Sequence, residues 1–197
     1  MNWCNFYNLE PQIFPKMSVK QWIAHIILTL FKWKVTGDDV TTPRGLFVVV
    51  PHTHWLDVPL GLLVRQKLGI RVHFMAKKSL FQGFSGVLFR RLGGYPVDRT
   101  RRQGLVRSAV EAFQKGDIQY LAIAPEGTRQ KVDHLKTGFF YIAAEGQIPM
   151  YLSAFDYKNR QVKFTGPIWA DITNPGQIEE IEHHFRGIEG RVPEYSF

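Results

Sequence analysis

The stretch "LFVVVPHTHWLDVPLGLLVRQKLG", residues 46–69, decides the fold of this chain. It opens with a short, β-branched apolar run, 46–50, that stops at Pro51, as is typical of a buried strand. Residues 58–69 then follow a helical pattern. Between them lies a polar loop with two histidines and an aspartate within six positions. The stretch therefore predicts a strand, a functional loop and a helix.

The same alternation continues along the chain. Further strands are predicted at 72–76, 120–124, 150–155 and, with its exit, 162–170. Further helices are predicted at 102–117, 137–146 and 175–188. This pattern indicates an α/β fold with a largely parallel central sheet flanked by helices. Ligands of such sheets bind beyond the carboxyl ends of the strands, so we expect function in the loops "PHTHWLD", "KKSLF" and "PEGTR".

Length and composition limit the organisation of the chain. Its 197 residues suit one domain, 1–197, and Cys4 is the only cysteine, so no intrachain disulfide can form. Lysine and arginine number 25 against 17 acidic residues, which gives a net charge of +8. Such a surface favours an anionic partner: nucleic acid, an acidic membrane face or a phosphorylated substrate.

An apolar segment near the start raises the question of a membrane. "WIAHIILTLF", 22–31, has ten residues, whereas a spanning helix needs about 20. The first twelve residues lack a basic segment followed by an apolar one, so no signal peptide is predicted. Flanked by Lys20 and Lys32, the segment suits either a helix in the membrane interface or one packed on the core. We predict a possible interface helix at 19–34, a catalytic core at 35–170 and a C-terminal helix and tail at 171–197.

His52 and Asp57 are the candidate proton-transfer pair. A carboxylate beside a histidine fixes its tautomer and stabilises the imidazolium, although an aspartate near a helix start is often only a cap. His52 and His54 also suggest a metal-dependent hydrolase. However, Asp57 falls one place late for the usual ligand pattern and Val58 replaces its third histidine. Because zinc needs three or four protein ligands, the spacing does not favour a metal.

Basic residues in the other loops indicate an anion site. Arg99 follows a pair of glycines, and Arg129 follows Gly127 and Thr128, whose hydroxyl adds a donor. Lys78 follows the strand at 72–76 and adds another cation. Nucleic acid is the rival ligand, but the chain carries no recognised nucleic-acid signature. A non-catalytic lipid- or nucleic-acid-binding module is the remaining alternative.

Four blocks in order carry a family resemblance: "HTHWLD" (52–57), "GGYPVDR" (93–99), "APEGTR" (124–129) and "GQIPMYLSAF" (146–155). Together they resemble the glycerophospholipid acyltransferases, the family of 1-acylglycerol-3-phosphate (lysophosphatidate) acyltransferases. The resemblance extends over roughly residues 20–170. A single block is common in unrelated proteins, whereas four with similar spacing are specific.

The resemblance implies roles for the candidate residues. His52 would be the general base that takes the proton of a glycerol hydroxyl, and Asp57 would orient it. Glu126 would position the arginines or a glycerol hydroxyl, and Pro149 would shape the acyl or donor side of the pocket. The phosphate of the acceptor would be held by Arg99, Glu126, Gly127 and Arg129, with Thr128 and Lys78 as further donors.

The resemblance also implies partners. The acyl donor would be acyl-CoA or an acyl carrier protein, and the acceptor a lysophospholipid, with no metal or redox cofactor and no nucleic acid. We therefore expect an O-acyltransferase of phospholipid biosynthesis, peripheral or monotopic at the cytoplasmic face of the membrane. Two residues depart from the family pattern: Pro51 stands where an asparagine is usual and His54 where a serine is usual. They leave the exact acceptor and the role of His54 open.

Overall fold

The computed structural model describes residues 17–97 and 102–197 of the chain. The α-helices in these residues are α1 (Val19–Leu30), α2 (Asp57–Leu68), α3 (Gly83–Arg91), α4 (Arg102–Gln114), α5 (Gly138–Gly146) and α6 (Gln177–Phe185). Short 3-10 helices occupy Lys78–Phe81 and Pro193–Tyr195. The strands are β1 (Lys34–Gly37), β2 (Gly45–Val50), β3 (Val72–Lys77), β4 (Gly94–Val97), β5 (Tyr120–Ile123), β6 (Met150–Asp156) and β7 (Gln161–Ile168).

These strands form one seven-stranded sheet in the order β1-β7-β6-β2-β5-β3-β4. The five strands from β6 to β4 in this order run parallel. Strand β7 pairs antiparallel with β6, and β1 pairs parallel with β7. The predicted α/β class with a largely parallel sheet flanked by helices is therefore confirmed.

The sheet is covered on both faces, which explains the continuous apolar run of its central strand. Leu46 and Val48 of β2 point into a core cluster shared with α4, α5 and α6. Phe47 points to the opposite face and packs in a second cluster with side chains of α1 and α2. A parallel strand buried on both sides has no polar face, so "LFVVV" lacks the alternation of a half-exposed strand.

Three regions differ from the sequence prediction. No strand is predicted in "GGYPV", but Gly94–Val97 forms β4 as the last strand on one side of the sheet, where a proline is tolerated. The expected loop after β3 is instead the 3-10 helix Lys78–Phe81, followed by α3. β1 was also missed, because four residues at an edge carry little apolar pattern.

The N-terminal helix is shorter than the predicted 19–34. A capping box between Ser18 and Gln21 starts α1, and Lys32 adopts a left-handed backbone with a φ of 59° just after its end. Lys34 then begins β1, so the helix cannot extend to residue 34. In residues 17–97 and 102–197, no helix combines the length and apolarity required to cross a bilayer.

Candidate active site

His52 and Asp57 form a close pair at the carboxyl end of β2. The Nδ1 atom of His52 lies 3.0 Å from Oδ2 of Asp57, with the histidine side chain 21% exposed and the aspartate 2% exposed. An ionised carboxylate only accepts hydrogen bonds, so Nδ1 carries the proton and donates it. The Nε2 lone pair is left to act as a base, and His52 lines an open cleft.

Asp57 is held by two further donors. The backbone N–H of His54 donates to Oδ2 at 2.9 Å, and the hydroxyl of Tyr157 donates to Oδ1 at 2.6 Å. Burial and the neighbouring carboxylate raise the pKa of Tyr157, so its hydroxyl keeps the proton that it donates. Three hydrogen-bond donors therefore fix the position of the buried Asp57 carboxylate.

Glu126 connects the loop after β5 to the loop after β2. Its carboxylate accepts the backbone N–H of His52 through both oxygens, at 3.1 and 2.9 Å. Burial raises the pKa of Glu126 to about 7, an effect opposed by the hydrogen bond and charge of His52 and reinforced by Asp57. The sequence prediction gave Glu126 the task of positioning arginines or a glycerol hydroxyl. The structure gives it a different partner, the backbone of the catalytic loop.

The cleft beside His52 has a volume of about 1580 Å³. One part of its wall is apolar, because side chains of α2 face those of the sheet across it. The apolar residues of this part include Phe47, Val49, Val58, Leu62, Leu68, Val72, Ala122 and Phe155. Gly61 of α2 also lines this part, and a Cβ on it would make an ordinary contact with the ring of Phe155, 3.6 Å away. This part of the cleft suits an extended hydrocarbon chain.

Cations line the opposite part of the cleft. Arg129 and Thr128 follow Gly127 in the loop after β5, and Lys136 and Arg107 also contribute to the lining. Gly127 has a φ of +66°, and a Cβ on it would lie 2.3 Å from Nζ of Lys136. The left-handed backbone favours glycine here, and the missing side chain lets Nζ of Lys136 lie against the turn. This arrangement of positive side chains and a hydroxyl can bind phosphate oxygens.

The remaining predicted site residues are distributed differently. Lys78 is exposed on the 3-10 helix after β3, at the same sheet edge but outside the cleft wall. Arg99 lies outside the described residues. The structure corrects the prediction that Pro149 shapes the acyl or donor side of the pocket. Pro149 precedes β6, and its carbonyl accepts the N–H of Leu46 at the start of β2. It therefore lies at the amino end of these strands, opposite His52, and cannot shape the cleft.

His54 supports the loop through its ring. Its Nδ1 accepts the N–H of Leu56 at 3.2 Å, which bridges the turn before α2. In the described part of the chain, no three histidine, cysteine, aspartate or glutamate side chains come together in a group that could hold a metal ion. The alternative metal site based on His52 and His54 thus lacks a third ligand among these residues.

The end of the chain returns to the catalytic loop. Residues 189–192, here called the C-terminal strap, contact both Thr53 and Tyr157. The N–H of Val192 donates to Oγ1 of Thr53 at 3.1 Å, and the N–H of Tyr157 donates to the carbonyl of Glu189 at 2.9 Å. A Cβ on Gly190 would lie 2.6 Å from Oγ1 of Thr53, so the strap fits closely against the loop.

Sequence reasoning missed Tyr157 and Lys136. Tyr157 lies two residues after the strand predicted at 150–155, and the rule that placed the other loops at the carboxyl ends of the strands applies to it equally. Lys136 lies just before the helix predicted at 137–146, but its contact with Gly127 depends on how the loop after β5 folds. The sequence therefore contains a usable signal for Tyr157 but none for Lys136.

The family model described as Acyltransferase matches residues 32–154, well over half of the chain. The chain belongs to the Acyltransferase family. A 1-acyl-sn-glycerol-3-phosphate acyltransferase of Bacillus subtilis (strain 168) is 30% identical to this family member over 122 residues. That match covers 60% of this chain and 59% of the relative, so the chain spans about three-fifths of the relative's length.

A solved structure is also similar to this Acyltransferase family member. It is the 1-acyl-sn-glycerophosphate (LPA) acyltransferase, PlsC, from Thermotoga maritima, with a TM-score of 0.58. The match covers 83% of this chain and 74% of the other, at 19% identity. At that identity the likeness supports the shared fold.

Proposed function

We propose that this protein transfers a fatty acyl group from acyl-CoA or an acyl carrier protein to a hydroxyl of a lysophospholipid. The first candidate acceptor is 1-acylglycerol-3-phosphate, as used by the Bacillus subtilis relative according to its name. The observation that carries the proposal is the His52–Asp57 pair, 3.0 Å apart, at a cleft with an apolar part and a cationic part. The apolar part suits a fatty acyl chain, and the cationic part suits the phosphate of such an acceptor.

The reaction follows from the geometry of the pair. Nε2 of His52 takes the proton of the acceptor hydroxyl as its oxygen attacks the thioester carbon. Asp57 holds Nδ1–H and stabilises the imidazolium that forms. The carbon–sulfur bond then breaks, and the proton passes from His52 to the departing thiolate, which gives an ester and a free thiol. No metal or redox cofactor is required in this sequence of steps.

The size of the cleft supports two substrates. Pockets for a single small molecule measure about 300–1,000 Å³. The cleft exceeds that range at about 1580 Å³, so it has room for an acyl chain beside a second, phosphorylated ligand.

We place the protein at the cytoplasmic face of the membrane as a peripheral or monotopic enzyme. α1 buries Ala24 and Leu28, while its exposed side carries Trp22, Ile23, Ile26 and Leu30. Trp55 and Val58, beside the cleft, are exposed as well. An exposed aromatic and aliphatic face next to a lipid-binding cleft is suited to the membrane interface.

The test is an acyl-transfer assay with purified protein. Acyl-CoA and acyl carrier protein are supplied separately with a panel of lysophospholipids, and thiol release and new lipid are both measured. We expect lysophosphatidate to be acylated, and His52→Ala to lower kcat/KM by about 10²–10⁴-fold, because a general base is lost. His183→Ala, on the exposed face of α6, is the matched control. Transfer that survives in His52→Ala would refute the mechanism, and a panel without product would refute the function.

A further inference from the structure

The oxygen of Asp57 that does not face His52 has its own dedicated donor. Oδ2 receives Nδ1 of His52 at 3.0 Å and the N–H of His54 at 2.9 Å, both from the loop after β2. Oδ1 receives the hydroxyl of Tyr157 at 2.6 Å, from the residue that follows β6. A carboxylate held at both oxygens cannot rotate about its last side-chain bond without losing a hydrogen bond.

Tyr157 is itself fixed on two sides. Its ring meets Trp33 edge-on, with the ring centroids 4.9 Å apart and the planes at 87°. Its backbone N–H donates to Glu189 of the C-terminal strap. Its side chain is not part of the cleft wall, so Tyr157 can act on a substrate only through Asp57.

We propose that Tyr157 is a positioning residue that locks the carboxylate of Asp57, and thereby holds His52 in the tautomer with the proton on Nδ1. The role of Tyr157 deepens the proposed function and rests on it. It also lies outside residues 32–154, the part of the chain that the family model matches. Trp33 and the strap orient the ring so that its hydroxyl meets Oδ1.

The test compares two tyrosine variants. Tyr157→Phe removes the hydroxyl and keeps the ring contact with Trp33. Tyr151→Phe is the matched control. The buried hydroxyl of Tyr151 forms a hydrogen bond with Thr42 at 2.9 Å, at the end of the strands opposite His52. Each variant loses one hydroxyl oxygen, from the buried Tyr151 or the half-buried Tyr157. Both are checked by thermal unfolding, so a general loss of stability is visible in either.

The first readout is the ring ¹⁵N chemical shifts of His52, which report its tautomer without any substrate. His52→Ala identifies the signals among the seven histidines of the chain. We expect one tautomer, protonated at Nδ1, in the parent and in Tyr151→Phe, and a mixture in Tyr157→Phe. Parent-like shifts in Tyr157→Phe would overturn the inference, whatever the assay shows.

The second readout is kinetic. Tyr157→Phe should lower kcat by up to about 100-fold with little change in either KM, because a misplaced catalytic group slows the reaction without weakening binding. In an Asp57→Asn background the same change should have no further effect, since Tyr157 acts through Asp57. A kcat equal to that of the parent, or additive losses in the double variant, would contradict the role.

The two proposals fail separately. If His52→Ala keeps full activity, the acyl-transfer mechanism is wrong, yet the ¹⁵N shifts still decide the role of Tyr157. If Tyr157→Phe does not fold, 4-aminophenylalanine at position 157 replaces it, because its amino group occupies the place of the hydroxyl but is a weaker hydrogen-bond donor. We then expect a mixture of His52 tautomers, and parent-like shifts would overturn the inference.

Discussion

Glu126 is a buried carboxyl group whose partner is a backbone N–H group, not a cation. Its pKa is raised from 4.5 to about 7 because burial disfavours the ionised form. The unfolded chain therefore ionises Glu126 more readily than the folded protein does. It follows that stability is greatest when Glu126 is protonated and falls as pH rises from about 4.5 to about 7.

Glu126→Gln should remove this dependence, because glutamine does not titrate and its Oε1 still accepts the N–H of His52. We expect the variant to gain as much as about 3 kcal/mol over the parent at pH above 7, and little below pH 5. Urea unfolding of both proteins at the two pH values measures the difference. An equal difference at both would show that Glu126 has no raised pKa in the folded protein.

Gly127 permits a second test at the scale of one residue. Gly127→Ala puts a Cβ too close to the end of the Lys136 side chain and strains a φ of +66°. We expect a loss of stability of about 1–2 kcal/mol and a raised KM for the acceptor, because Lys136 is displaced from the phosphate side of the cleft. Chemical unfolding and acceptor titrations measure the two effects.

Gly116→Ala is the control for Gly127→Ala. Its φ is +77°, with no atom within 4 Å of an added Cβ, and it lies outside the cleft wall. It should show the same strain and a parent-like acceptor KM. If both variants raise the acceptor KM equally, the contact between Gly127 and Lys136 has no role in binding.

At the scale of elements, α1 presents an apolar face that the rest of the described chain leaves uncovered. Trp22 in this face is 58% exposed. Trp22→Ser should weaken binding to vesicles, because an aromatic ring contributes strongly at the membrane interface. Flotation with liposomes of mixed phosphatidylglycerol and phosphatidylethanolamine measures the bound fraction.

Trp169→Ser is the matched control for Trp22→Ser. Trp169 is equally exposed at 57%. It follows β7, which is antiparallel to β6, so it lies at the end of the strands opposite the cleft. It should bind vesicles as the parent does. If both variants bind equally well, α1 is not the membrane contact.

The elements also show what the sequence could predict. β2, β3, β5 and β6 were predictable because each is a short apolar run next to a helical pattern. β4 and α3 were not, since Gly94 and Pro96 hide the strand and two glycines interrupt the pattern of "GFSGVLFRR". Both lie at the edge of the sheet, where less burial is needed and the apolar signal is weaker.

The candidate site divides in the same way. His52, Asp57 and Arg129 were predictable because each follows a recognisable strand toward one edge. Pro149 was misplaced because a motif gives the order of residues but not the end of the strand at which they lie. The partner of Glu126 could not be predicted either, because it is a backbone group contributed by another loop.

At the scale of the whole molecule, the net charge of +8 adds to the apolar contact of α1. We expect tighter binding to vesicles that contain anionic lipid than to neutral ones, since each basic residue near the surface contributes about 1 kcal/mol. Raising the salt from about 0.05 M to about 0.3 M should weaken binding to anionic vesicles and leave the neutral ones almost unaffected. Co-sedimentation at both salt concentrations measures this, and salt-independent binding to anionic vesicles would contradict it.

The C-terminal strap has a consequence for how this protein can be recombined with its relatives. The match to the family model ends at residue 154. Tyr157, which bonds Asp57, and Val192, which bonds Thr53, both come later in the chain. Strand β7, which joins β1 to β6, also lies beyond residue 154. A chimaera that exchanges only the motif-bearing blocks would receive the catalytic base without the residues that position it. Exchange through residue 192 would transfer both, so the segment needed to rebuild this active site is longer than the motifs that identify it.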